Sequence, residues 1–372
     1  MDQVIEKNKM SLPKPLHIYL IGGFLGSGKT TAIANACLQL INAEKKVAVI
    51  TNDQGDQLVD SSYLQNLSIN NAEVFNGCFC CNYNALEKHI LELKNAGATE
   101  IVFAESVGSC TDLVSTVAKP FASFHPEYKV VISVFADAAV LLAIMKGNAS
   151  FISGNIQYIY KKQLEEADIL IINKKDLLNK NELTELKLFI ENDFKNKMIL
   201  SQDSNNNEDI ARWLKQLEDF PADVSRASLE IDYDKYGAGE AALAWLDKKL
   251  SLHTSKPVAI NTAFGLMENI YAEIISSGCA IGHLKFLLDD NEGWIRKISF
   301  TNSGEQKILK EHKECNHVDI LINARVETLP AHLEALVNDV ITDTITKTGC
   351  RIINGKVNSF APGYPKPTHR FS

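Results

Sequence analysis

The chain has 372 residues, 45% of them hydrophobic and 23% charged, the profile of an ordinary globular protein long enough for two domains. Its formal net charge of -8 gives no support to a nucleic-acid or anionic-membrane partner. Met1–Pro15 lacks the apolar core of a signal peptide, and the longest apolar run, 130–145, is too short to span a bilayer and is broken by Asp137.

Residues 1–14 read as a flexible tail. A first domain is expected over 15–222. The apolar run 16–21 ends in glycines and predicts a strand, followed by a helix over 29–44 and a β-rich run at 46–51. A polar irregular stretch leads to a cysteine cluster, and a helix is expected at 85–95. Further strands are predicted at 100–104, 129–135 and 169–172, with helical segments between them; the run 130–145 reads as a buried strand followed by a helix. Alternating units with fully apolar strands indicate an α/β fold, a mostly parallel sheet covered by helices on both faces. The polar loop 201–207 and a helix through Trp213 close that domain.

From about residue 224 the texture changes. A connector over 223–256 is expected to hold an Ala-rich helix, 238–250. Over 257–372 the pattern predicts a strand at 258–264, a helix at 266–276, strands at 281–288, 294–300 and 318–326, and a long helix over 330–347. That order describes a smaller C-terminal α+β domain with its helices on one face.

Gly23-Phe24-Leu25-Gly26-Ser27-Gly28-Lys29-Thr30 fits the phosphate-loop pattern between a strand and a helix. The glycines let backbone N–H groups turn towards phosphate oxygens, and the helix start, with Ser27, Gly28 and Thr31 around it, adds its positive end. Lys29 is placed for the β and γ phosphates and Thr30 for Mg²⁺. Asn173-Lys174-Lys175-Asp176 follows an apolar strand. The carboxylate of Asp176 can accept from the two guanine donors, whereas adenine would face it with a lone pair. Asn173 shapes the loop and the Lys174 stem covers the base. GTP is therefore expected over ATP.

Glu105 ends a strand and is followed by Gly108. A carboxylate there suits Mg²⁺ or the attacking water, and Gly108 suits a mobile amide near the γ-phosphate. Asp53 and Asp60 are the other acids able to approach the metal, with a loop cap or a solvated charge as the alternative for each. Lys29, Asp53 and Glu105 make up the expected catalytic set.

Eight cysteines without a secretory signal indicate reduced thiols in a cytoplasmic protein. Three of them fall in Cys78-Phe79-Cys80-Cys81 after Asn76-Gly77. They can fill three of the four tetrahedral positions that Zn²⁺ prefers, and Co²⁺ or Cu(I) is also chemically reasonable. Cys80 and Cys81 converge only in a turn, which Asn76-Gly77 makes plausible. Cys110 is a candidate fourth ligand. A redox pair of Cys80 and Cys81 is the competing chemistry, at the cost of a strained bridge between neighbours. His312, Cys315 and His317 form a second ligand-type cluster, and Cys279 and His283 are a pair one helical turn apart if that segment is helical; ordinary core or strand-end residues are the simpler reading of both.

Taken in order, Gly23–Thr30, Asn52-Asp53-Gln54-Gly55, Gly77-Cys78-Phe79-Cys80-Cys81, Glu105–Gly108 and Asn173–Asp176 resemble the CobW/HypB/UreG family of GTPases, within it the CobW-like branch. Gln54 and Val107 depart from the aromatic and hydroxyl residues common there. The resemblance covers roughly the first 200 residues and implies GTP hydrolysis coupled to delivery of a metal, or to metal-cofactor assembly. The implied partner is a client metalloprotein or cofactor-assembly enzyme, and slow intrinsic turnover implies help from a partner or a homodimer. A GTP-gated module that reorganises a corrinoid-dependent or other metalloenzyme, and a thiol redox sensor, are the alternative functions.

Overall fold

The structure, a computed structural model, describes residues 15–52, 59–74, 77–96, 99–149, 152–222, 224–302, 304–305 and 314–372. Asp53 and His312 lie outside the described residues.

Seven parallel strands form the first sheet: β1 (His17–Gly23), β2 (Val47–Asn52), β3 (Asn71–Val74), β4 (Ile101–Glu105), β5 (Lys129–Asp137), β6 (Ile169–Asn173) and β7 (Met198–Ser201), in the order β3-β2-β4-β1-β5-β6-β7. Period-two alternation explains why both faces are covered. On β1, Ile18 and Leu20 enter one core with Leu86, Ile90 and Ile156. Tyr19 and Ile21 enter the opposite core with Ile33, Cys37 and Trp213. Each such side chain contributes about 1.5–3 kcal/mol on burial. The run 130–145 is a strand and a helix, as expected, with Asp137 capping Ala138–Met145 through Ala139 N and Val140 N at 3.0 and 3.2 Å.

The second sheet is antiparallel: β8 (Leu243–His253), β9 (Ala280–Asp289), β10 (Ile295–Thr301), β11 (Gly304–Glu305), β12 (His317–Glu327) and β13 (Arg351–Phe360), in the order β11-β10-β9-β12-β8-β13. Its apolar face, including Leu246, Phe286, Ile320 and Ile322, packs on the helices Ala259–Ser276 and Pro330–Thr348. The opposite face carries Trp245, Asp247, His283, Asn323 and Arg325, all buried, and Trp245 packs into the core of the first domain. This polar face is turned inward, onto the parallel-sheet domain.

Three sequence expectations need correction. The helix expected at 238–250 is a helix over Tyr233–Ala241 followed by strand β8. There Ala244, Leu246, Leu250 and Leu252 alternate onto the second core, so strand packing overrides helix-favouring composition. The strand expected at 258–264 instead begins the helix Ala259–Ser276, in which Ile260, Ala263, Phe264 and Met267 recur at helical spacing. Cys279 and His283 do not meet on a helical turn: Cys279 precedes β9 and His283 lies on it, about 13 Å further along an extended chain. Among the described residues no helix is long and apolar enough to cross a membrane.

Candidate functional site

The loop between β1 and α1 (Lys29–Asn42) turns through Gly23, Gly26 and Gly28, at φ values of 122°, 74° and 90°. A Cβ on Gly28 would sit 2.3 Å from Asn173 Nδ2, so the backbone passes where only glycine fits. No side chain caps the first N–H groups of α1, which leaves that helix start suited to anion oxygens. Lys29 Nζ donates to Gly23 O and Phe24 O at 2.7 and 3.2 Å, and burial pushes its pKa down to about 8. Thr30 Oγ1 donates to both Glu105 oxygens at 2.9 and 3.0 Å. Burial, reinforced by Asp60, raises the Glu105 carboxyl above its ordinary value.

Asn173 ties the expected base-reading loop to the phosphate loop. Its Nδ2 donates to Ser27 O at 2.7 Å, and its Oδ1 accepts from Ser204 Oγ at 2.7 Å. Lys174, at φ 58°, reaches Asp137 Oδ2 at 2.8 Å. Gly108 is pressed against Leu25, whose N lies 2.9 Å from where its Cβ would be. Gly26, Gly28, Lys29, Thr30, Thr31, Glu105, Gly108, Asn173, Lys174 and Asp176 all line one cavity of about 520 Å³, a size suited to a small-molecule ligand. Trp245, His283, Lys285 and Lys297 of the second sheet close its other side. The sequence reading named none of these four for this role. Asp60, which it considered for a metal, lines the same cavity and pairs with Lys285 Nζ and Lys297 Nζ at 2.5 and 2.6 Å, and these ammonium groups keep its carboxyl well below the ordinary range.

The cysteine run does form a turn: Cys81 N and Asn82 N both donate to Cys78 O, at 3.0 and 2.9 Å. The Sγ atoms of Cys78, Cys80 and Cys81 lie within 4.8 Å of one another, the one such ligand-type trio among the described residues. Cys78 Sγ donates to Cys81 Sγ at 3.3 Å, and Cys80 Sγ lies 3.8 Å from Cys81 Sγ; contact with the Cys110, Cys80 and Cys81 thiols holds Cys78 below the ordinary thiol range, while Cys81 is pushed up to about 11. Cys110, also buried, stands outside that close set. Three sulfurs this close are a donor set that a soft cation suits.

Asn52, at the end of β2, joins the two sites. Its Nδ2 donates to Val74 O and Gly77 O at 3.0 and 2.7 Å, and its Oδ1 accepts from Phe79 N at 2.8 Å. The same residue lines the nucleotide-sized cavity. Two further elements escaped the sequence reading. Glu240, from the helix before β8, accepts from Ser109 Oγ at 2.8 Å and lies 3.8 Å from Cys110 Sγ, with burial raising its carboxyl to about 8. The C-terminal segment straps the thiol turn: Thr368 N donates to Cys80 O at 2.8 Å and Lys366 N to Cys81 Sγ at 3.2 Å. His369, uninformative in sequence, packs its ring on Tyr83 at 5.0 Å. His317 pairs with Asp319 at 3.1 Å and Cys315 packs against the second core; neither belongs to the thiol trio.

A parallel sheet whose first strand runs through a glycine loop into a Lys-Thr helix start, with a carboxylate on the adjacent strand, defines a P-loop nucleotide-binding domain. Residues 17–199 match the family model described as CobW/HypB/UreG, nucleotide-binding domain, and this domain belongs to that family. Curated relatives include the zinc chaperone YjiA of Escherichia coli, 34% identical over 27% of this chain and 31% of that protein. The zinc chaperone CobW of Sinorhizobium sp is 28% identical over 43% of this chain and 51% of that one. The chain therefore spans about a third to a half of the length of these two relatives. HypB from Helicobacter pylori in complex with nickel aligns over 57% of this chain and 93% of that one, at 14% identity and a TM-score of 0.41.

Proposed function

We propose that the chain is a Mg²⁺-dependent GTPase that couples its nucleotide state to carriage and delivery of a transition metal, Zn²⁺ or Co²⁺, to a client metalloprotein or cofactor-assembly enzyme. The observation that carries this reading is the Asn52 bridge: one side chain lines the nucleotide cavity, holds the thiol turn by two hydrogen bonds and ties it to the end of β3 by a third. The similarity to zinc chaperones supports the metal half.

In this mechanism the phosphate loop wraps the triphosphate, and the glycine at 28 keeps the backbone open for it. Lys29 exchanges its loop carbonyls for phosphate oxygens. Thr30 and Glu105, already joined, would hold Mg²⁺, which supplies charge neutralisation at the phosphates. Asp176 selects guanine by accepting from its two donors. Lys29 and Glu105 are taken up with the phosphates and Mg²⁺ in this reading, no other residue among those described identifies itself as a strong general base, and turnover by the isolated chain is slow. At the other end, Cys78, Cys80 and Cys81 hold the cargo metal, and the fourth position is open to Cys110, a water or a client ligand. Binding of the metal releases the thiol protons. Order imposed on the β2 and β4 ends by the nucleotide reaches the thiol turn through Asn52.

Zinc titration of the wild-type chain and of Cys80→Ser tests the reading. One tightly held zinc per chain, lost in the variant, is the expected result. No tight zinc or cobalt site in any nucleotide state would overturn metal carriage, and a reversible thiol oxidation in its place would favour a redox sensor.

A further inference from the structure

The second sheet brings a set of groups into the nucleotide cavity that the function above does not use. His283 and Lys285 lie on the same face of β9, and Lys297 lies on the adjoining β10. All three line the cavity together with Lys29 and Glu105. Lys285 and Lys297 share Asp60, one on each carboxylate oxygen. Across this part of the cavity three ammonium groups, those of Lys29, Lys285 and Lys297, face two carboxylates, those of Asp60 and Glu105. Two of these ammonium groups, those of Lys285 and Lys297, come from the second sheet.

His283 is a second and independent observation. Its side chain lies in a residue only 5% exposed, and neither ring nitrogen has a hydrogen-bond partner among the described residues. Leaving a buried donor and acceptor unsatisfied costs free energy that a ligand oxygen recovers. Burial, with Lys285 and Arg325 nearby, keeps the imidazole well below its ordinary value, so it offers one N–H donor and one lone pair. The ring lines the same cavity as Lys29, the phosphate-loop lysine.

We propose that His283 and Lys285 contact the terminal phosphate of the bound nucleoside triphosphate, so that the second domain distinguishes triphosphate from diphosphate. Lys297 retains Asp60 when Lys285 turns to the phosphate, because each lysine holds a different oxygen of that carboxylate. Asp60 sits on α2 (Val59–Asn66), whose Val59 N donates to Asn323 Oδ1 of β12 at 2.8 Å. The helix that follows β2 is therefore moored to the sheet that would touch the phosphate. A change at that contact is felt by both domains. The inference rests on the guanine-nucleotide reading above and adds to it where the discrimination is made.

Lys285→Met and His283→Asn in the full chain test it, with dissociation constants measured in Mg²⁺ for GDP and for a non-hydrolysable GTP analogue. A thermal melt accompanies each variant, and either variant alone decides the matter if the other does not fold. The expected result is triphosphate binding weakened roughly ten- to a hundredfold, the worth of a charge-assisted hydrogen bond, with GDP binding unchanged. Equal loss for both nucleotides, or no loss for either, in a folded variant overturns the inference. Failure of the wild-type chain to bind either guanine nucleotide overturns the underlying reading instead.

Discussion

Replacing Asn52 by alanine removes three hydrogen bonds at once, those to Val74 O, Gly77 O and Phe79 N. Each bond contributes about 1 kcal/mol net, so the turn loses roughly 2 kcal/mol of local support and its tie to the end of β3 about 1 kcal/mol more. The loss falls on the thiol turn rather than on the phosphate loop, because none of the three partners belongs to the phosphate loop or to α1. The expected outcome is near-normal nucleotide affinity, weakened zinc affinity, and collapse of the ratio between zinc dissociation constants in the GTP-analogue and GDP states. That ratio corresponds to a coupling of about 1–3 kcal/mol in ordinary allosteric proteins, or roughly 5- to 150-fold. Competition with a chromophoric chelator in each nucleotide state measures it. If Asn52→Ala folds and keeps the wild-type ratio, the bridge does not carry the coupling and the reasoning fails.

Other sites give outcomes that are independent of that bridge. Gly28→Ala forces a Cβ into a φ of 90° and to 2.3 Å from Asn173 Nδ2; it should cost about 1–2 kcal/mol in backbone strain alone and abolish nucleotide binding, read by fluorescent-nucleotide titration. Asp176→Asn should weaken GTP relative to xanthosine triphosphate, whose C2 oxygen suits an amide donor, and an unchanged preference contradicts the guanine assignment. Arg325→Met strips the buried partner from Asp247, 2.7 Å away, and the cation from the face of Trp245 at 4.0 Å; a loss of about 3–5 kcal/mol in urea unfolding is expected. Glu240, raised to about 8, binds its proton more tightly in the folded chain than in the unfolded one. Metal-free stability should therefore be highest below the unfolded carboxyl pKa and fall as pH rises towards 8, by up to roughly 5 kcal/mol. Glu240→Gln should flatten that profile in denaturant midpoints taken at acid and mildly alkaline pH.

The parts of the site that were legible in sequence are those whose chemistry demands fixed local spacing. Gly23–Thr30 must turn with glycines and present Lys and Thr at a helix start, and the buried strands of a parallel sheet are apolar on both faces. The thiol run was legible for the same reason, since three sulfurs in four positions converge once the turn forms. The second sheet was harder to read. Its inward polar face, with His283, Lys285 and Arg325, has the alternation of a solvated face, and nothing local says that another domain covers it. Strand β8 carries Ala, Leu and Lys in helix-favouring proportion, and only the cross-strand partners on β12 and β13 decide its form. The strap at Lys366–Thr368 uses backbone donors, which any sequence supplies. Asn52 was visible as part of a motif, but its three backbone partners come from the chain beyond β2 and are defined only by the fold.

Coupling between nucleotide and metal is reciprocal, so it can be read from either site. The most direct measurement is the affinity of the wild-type chain for a non-hydrolysable GTP analogue and for GDP, each with the thiol site zinc-loaded and zinc-free. The account predicts that zinc changes the two affinities by different factors, and that the ratio equals the one found by titrating zinc in the two nucleotide states. Nucleotide affinities indifferent to zinc would contradict it.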